Sequence, residues 1–179
     1  MSDLSSFPGT PAAVAQPAVS PEQFRACLSR WASGVTVVTA SDHHGRPQGF
    51  TASSFSSVSQ SPPLISVCLD RDANCRDTFE AASCFAVHVL RAGQQDLAAG
   101  FARKGADKFR GRRLAGAATG VPLLDDALVR LECRTTQRLP AGDHLILIGE
   151  VYHCVVGDGE PLVYFRSRFH RLRPPEAGP

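Results

Sequence analysis

No apolar run in the 179 residues approaches the roughly 20 that a membrane-spanning helix needs. The N-terminus has no basic stretch followed by an apolar one, so no secretory signal is expected. Cys27, Cys68, Cys75, Cys84, Cys133 and Cys154 form no C-x-x-C pair, and most lie in apolar runs. They are expected to be reduced, mainly buried thiols of a cytoplasmic protein, without the ligand spacing of a zinc site. No G-x-G-x-x-G opens a helix after a strand and no G-x-x-x-x-G-K-[ST] occurs, which argues against a Rossmann fold and a P-loop. There are no internal repeats, no paired carboxylates and no convincing activated nucleophile. A formal charge of +2 gives no nucleic-acid surface. The one local cluster of charge is Arg103, Lys104, Lys108, Arg110, Arg112 and Arg113, readable as a solvated face or as an anion site.

What is present reads as one domain of short strands. Residues 1–19 are rich in Ser, Pro and Ala and lack periodicity, which predicts a disordered tail. The domain spans 20–172, and 173–179 form a second loose tail. Ser20-Pro21-Glu22-Gln23 is a capping box opening a helix. Phe24, Cys27, Leu28 and Trp31 form its apolar face, which places Trp31 in the core. Strands are expected at Gly34–Ala40, after the Asp42–Arg46 turn into the Thr/Ser stretch, at Leu64–Leu69 (buried on both faces), at Cys84–Leu90, at Ala127–Arg138 and at His144–Val151. Asn74 is expected to cap a short helix, 94–104 to be a helix striped by Leu97, Ala98 and Phe101, and 111–122 to be a loop. Pro140–Asp143 predicts a hairpin turn and Gly157–Gly159 another, before a last strand at Leu162–Phe165. Val129, Leu131 and Cys133 alternate with Arg130, Glu132 and Arg134, a half-solvated pattern. Short turns between so many strands predict a mainly β, antiparallel barrel with a few flanking helices. His43 and His44 read as turn residues rather than metal ligands, and His88 as a hydrogen-bonded sheet histidine.

The most unusual stretch is Gly49–Ser59, where seven of eleven residues are small and six carry a hydroxyl. Small residues let a ligand approach the backbone, and hydroxyl and N–H groups suit phosphate oxygens. Phe50 and Phe55 offer apolar surface beside them. This composition suits a ligand with a ring at one end and a phosphate at the other, although an inert strand edge has the same composition.

Several separated stretches, in order, decide between these readings. They are Gly34-Val35-Thr36-Val37-Val38-Thr39; Gly49-Phe50-Thr51-Ala52-Ser53-Ser54-Phe55 with Val58-Ser59 and Pro62-Pro63; Phe85-Ala86-Val87 with Val89-Leu90; Phe101-Ala102 with Asp107-Lys108-Phe109; Leu131-Glu132-Cys133; Gly142-Asp143-His144 with Ile148–Val151; and Pro161–Tyr164. In these the chain resembles the short-chain NAD(P)H:flavin oxidoreductases, the reductase components of two-component flavin-dependent monooxygenases. The resemblance implies an FMN-binding split barrel, Greek-key-like, and a homodimer with flavin near the subunit interface. It implies FMN or FAD held loosely as a substrate, NADH or NADPH as donor, and reduced flavin passed to a separate monooxygenase. By position, Gly49, Phe50, Thr51, Ala52, Ser53 and Ser54 would lie along the flavin ring and ribityl chain, with Cys68 behind the ring. Ser59, Asn74 and Lys108 would lie near the phosphate, and His144 on the nicotinamide side, oriented by Asp143. Phe101 and Tyr164 are further candidates. Two positions depart from the family pattern: Cys75 stands where a small Ser or Thr is expected, and Ser167, between Arg166 and Arg168, where a Gly is expected. A pyridoxamine-phosphate-oxidase-like enzyme and a non-enzymatic flavin-binding module are the alternative readings.

Overall fold

The computed structural model describes residues 19–105, 107–117 and 119–172. Of the tails expected at 1–19 and 173–179, residues 1–18 and 173–179 lie outside the described residues. In chain order the elements are α1 (Pro21–Leu28), β1 (Ser33–Gly34), β2 (Thr36–Ser41), β3 (Pro47–Ala52), β4 (Ser56–Gln60), β5 (Pro63–Asp70), α2 (Arg76–Ala81), β6 (Cys84–Val89), α3 (Gln95–Ala102), β7 (Leu114–Gly116), β8 (Pro122–Leu124), β9 (Val129–Ala141), β10 (His144–Val156), β11 (Val163–Phe165) and β12 (Arg168–His170).

The main sheet has seven antiparallel strands in the order β3-β2-β6-β9-β10-β5-β4. Its two edge strands, β3 and β4, are consecutive in the chain, so Ser53–Phe55 runs across the seam where the barrel fails to close. Ser54 bridges that seam, because its hydroxyl accepts from the Cys68 N–H at 3.0 Å. Inside the curled sheet, Val38, Phe50, Val67, Leu69, Phe79, Phe85 and Leu147 form the main core. A second core under α3 joins Val35, Val37, Leu90, Ala98, Phe101 and Leu162. The architecture is the split barrel that the resemblance implies.

Local chemistry explains most element ends. Ser20 Oγ accepts from the Gln23 N–H at 3.2 Å and Gln23 Oε1 accepts from the Ser20 N–H at 3.1 Å, completing the capping box. Asp42 closes the β2–β3 turn by accepting from the His44 and Arg46 N–H groups, at 2.8 and 2.9 Å. Partial burial alone would raise its carboxyl; those bonds and the Arg46 guanidinium at 2.8 Å outweigh it and hold it at about 2.

Several expectations are corrected. Trp31 is not core: it is 75% exposed, and Phe24 and Leu28 are exposed with it, since α1 lies outside both cores. The predicted first strand breaks at Val35, whose N–H and C=O pair instead with Leu162 and Leu90. β5 is buried on one face only, through Ile65, Val67 and Leu69, because Ser66 and Cys68 look out through the seam. The N-cap of α2 is Cys75, not Asn74, and no side chain caps it. The 111–122 segment holds the β7–β8 hairpin rather than only a loop. Glu132 is buried rather than solvated, because the Tyr152 hydroxyl covers it and donates to it at 3.2 Å. Gly157–Gly159 does not join a hairpin: β11 pairs with β1 and β12. All six cysteines are free, but only Cys75 and Cys133 are buried; Cys27 and Cys154 are exposed. Burial pushes the Cys133 thiol up to about 12, which leaves it inert.

The β11–β12 turn is made by Arg166 (φ 50) and Ser167 (φ 58), both left-handed. A two-residue hairpin needs that geometry, and L-residues adopt it at a cost of about 1 kcal/mol or more each. Ser167→Gly is therefore expected to raise stability by about 1 kcal/mol, read as a higher urea midpoint at unchanged slope.

Candidate functional site

The end of β3, the seam, the end of β5 and the segment after α3 enclose a cleft of about 310 Å³. Of the residues singled out by sequence, Phe50, Thr51, Ala52, Ser53, Ser54, Cys68, Asn74, Phe101, Lys108 and His144 all line it. Gly49 lines an adjoining cavity of about 300 Å³, and Tyr164 an apolar slot of about 230 Å³ that shares Thr51, Ser53 and Ala102 with the cleft. Ser59 lines none of these. It sits within β4 opposite Leu64, beyond a register shift between Ser57 and Ser59.

The hydroxyl-rich stretch is less available to a ligand than its composition suggests. Thr51 Oγ1 donates to the Ala98 carbonyl at 2.6 Å, which ties β3 to α3. Ser54 is engaged with Cys68 across the seam. Ser53 and Asn74, by contrast, make no side-chain hydrogen bond to other described residues and present theirs to the cleft. Phe50 packs edge-on against Phe79 at 5.0 Å, and Phe101 against Phe109 at 5.0 Å. Both rings are buried and form the back wall rather than an open face.

Lys108 organises the cationic end. Its ammonium donates to the Gly49 carbonyl at 2.9 Å and to the Phe101 carbonyl at 2.8 Å, joining β3 to the C-terminal turn of α3. Burial lowers its pKa, and the nearby Cys75 thiol works the other way. One N–H remains for a ligand, beside Arg103 and Lys104 at the rim. Cys75 is buried, which raises its thiol, so the departure from a hydroxyl removes a donor at this end.

At the opposite lip His144 opens β10, facing Asp70 of β5. Its Nδ1 lies 2.7 Å from Asp143 Oδ1, and that bond holds the Asp143 carboxyl below its usual range. With Nδ1 turned to Asp143, Nε2 is the atom left for a ligand. Asp70 and Ala73 also line the cleft and were not singled out by sequence. The signal for Asp70 was the alternation of β5, whose outward residues continue from Cys68 to its end.

The arrangement can seat a planar ring between backbone, small side chains and an imidazole, with an anion at the lysine end. The donors without internal partners, Ser53 and Asn74, and the third N–H of Lys108 fit a phosphorylated ring compound. Among the described residues no group of three or more His, Cys, Asp or Glu could hold a metal ion, and no helix is long and apolar enough to cross a membrane.

Comparison with known proteins agrees with this chemistry. Residues 28–173 match the model of the flavin reductase like domain. An actinorhodin polyketide dimerase of Streptomyces coelicolor is 50% identical over 149 residues, 83% of this chain and 84% of that protein. An NADH:riboflavin 5′-phosphate oxidoreductase of Streptomyces pristinaespiralis is 43% identical, covering 89% of this chain and 93% of that one. Among solved structures, an NADH:FAD oxidoreductase of Streptomyces globisporus, in complex with NAD and FAD fragments, superposes with a TM-score of 0.81 at 36% identity, over 91% of this chain and 100% of that one.

Proposed function

The chain belongs to the flavin reductase-like family, and from that premise we propose that its cleft binds FMN or FAD as a substrate to be reduced by NADH. The protein is an NADH-dependent flavin reductase that supplies reduced flavin to a separate monooxygenase. The observation that carries this reading is that Ser53, Asn74, Lys108 and His144 line one cleft, with Asp143 bonded to His144 from outside it. When bound, the flavin supplies the redox chemistry by accepting a hydride from the reduced nicotinamide. The residues of the chain supply position. Backbone N–H groups between Thr51 and Ser53, which line the cleft, would serve as donors to the heteroatoms of the ring. Lys108 and Asn74 would hold the phosphate, and His144 Nε2 would orient the carboxamide of the donor. Thr51 and Ser54 spend their hydroxyls on α3 and β5, so their part is to keep the seam in shape.

The test is anaerobic stopped-flow absorbance with NADH and a many-fold excess of FMN or FAD over protein. Bleaching of all the added flavin over repeated turnovers is expected. Tight binding without bleaching would leave a flavin-binding module, and bleaching by an added amine instead of by NADH would favour the oxidase-like alternative.

The apolar face of α1 is the basis for a homodimer. Phe24, Leu28 and Trp31 lie open on one chain, and a second copy is the partner that the family resemblance implies. Sedimentation equilibrium is expected to give twice the mass of the chain. Trp31→Glu is expected to shift it toward the single chain and to weaken flavin binding in parallel. Six free thiols and NADH as donor support a cytoplasmic location.

A further inference from the structure

We propose that the phosphate end of the cleft is open, and that the space beyond it is a seat for the AMP half of FAD, so that Gln48 and His43 help set the choice between FAD and FMN. This rests on the flavin reductase reading above. Three cavities run in series along the outside of β3. The ring cleft of about 310 Å³ shares Asn74 and Lys108 with a cavity of about 300 Å³. That cavity in turn shares Gln48 and Asn74 with a third, the largest, of about 470 Å³. Asn74 is the one residue that lines all three, and its amide makes no hydrogen bond to other described residues.

The direction of the series matters. The Lys108 ammonium stands at the first junction, where the phosphate of the bound flavin belongs. FMN ends there. FAD continues through a second phosphate, a ribose and an adenine, and needs room on the far side of that junction. The far cavities supply it: beside Asp107 in the second cavity and Asp42, Arg46 and Asp77 in the third, their lining holds neutral polar and aromatic groups that suit an adenosine. Asp77 and Thr78 offer polar groups for ribose hydroxyls, and His43 offers a flat ring of the kind on which bases stack. The Asp42 carboxylate in the same wall is already paired with Arg46 at 2.8 Å, so it adds little repulsion toward a phosphate. His43 stands on the exposed β2–β3 turn, where the sequence suggested no role.

Calorimetric titration of the full chain with FMN and with FAD tests this. Gln48→Trp fills the passage between the second and third cavities and is expected to raise the FAD Kd about tenfold while the FMN Kd stays within about twofold. His43→Ala, on a solvated turn that tolerates truncation, is expected to weaken FAD several-fold and leave FMN alone. Parallel shifts of both flavins, or no shift of FAD in either variant, would overturn the proposal. Reduction of FMN by NADH in the unaltered protein tests the reductase reading separately, since FMN never enters the far cavities.

Discussion

Replacing His88 by leucine is expected to cost about 3 kcal/mol of stability, although leucine is apolar, similar in size and placed in a core. The imidazole is fully buried in β6 and works in two directions. Nδ1 lies 3.0 Å from the Val37 carbonyl of β2, and Nε2 accepts the Leu124 N–H of β8 at 3.0 Å. Both contacts are satisfied only by the neutral tautomer with its proton on Nδ1. Leucine leaves the Leu124 N–H without an acceptor in a dry place and removes one of the bonds that tie the β7–β8 hairpin to the main sheet, leaving that of Thr39 Oγ1 to the Pro122 carbonyl. Urea denaturation at pH 7.5 measures the loss; a change within about 0.5 kcal/mol would show that the stitch is unimportant.

The same residue predicts a pH dependence. Burial lowers the His88 pKa to about 4, helped by Arg130 and opposed by the bond to Val37, against 6.5 for the exposed group. The unfolded chain therefore takes up a proton below pH 6.5 while the folded chain does not. The stability contributed by this group is complete above pH 6.5, falls as the pH drops from 6.5 to about 4, and is level below that. The span is worth about 3 kcal/mol. In the leucine variant this part of the pH profile should vanish.

A second large effect is expected at Gly49, where alanine should weaken flavin binding by at least about tenfold and cost about 2 kcal/mol of stability. A Cβ there would stand 2.8 Å from Phe101 Cε1 and 2.9 Å from the Val38 carbonyl oxygen. Neither neighbour can yield. The carbonyl belongs to the sheet, and Phe101 is buried between Phe109 and the Arg112 guanidinium. The methyl group must therefore push α3 away from β3. Lys108 spans that contact with bonds to the Gly49 and Phe101 carbonyls, so it cannot keep both. Gly149→Ala is the control. Its Cβ would meet Phe85 Cζ at 2.5 Å in the main core, away from the cleft. It should destabilise comparably while leaving flavin affinity unchanged in the folded protein. Equal loss of affinity in both variants would mean that the Gly49 effect is only general instability.

Much of this protein is decided locally and is legible in the chain. The capping box at Ser20 and Gln23, the Asp42 turn, the β9–β10 hairpin and the role of His88 as a bonded sheet residue depend on neighbours a few positions away or on strand alternation. The ordered run of motifs from Gly34 to Tyr164 likewise carries the family, the flavin chemistry and the split barrel. What sequence alone left open, or placed wrongly, depends on which surfaces meet. Trp31 has the spacing of a core residue, but among the described residues no element covers it. Glu132 reads as solvated until Tyr152 folds over it. The stretch after Gly49 announces six hydroxyls, yet only the three-dimensional pairing shows that Thr51 is tied to α3 and that Ser54 is tied to β5. Composition and periodicity record what a residue can bond to and which face it prefers. The donor or acceptor that actually claims it comes from segments tens of positions away, as with Lys108 and Gly49, and only the assembled barrel brings them together.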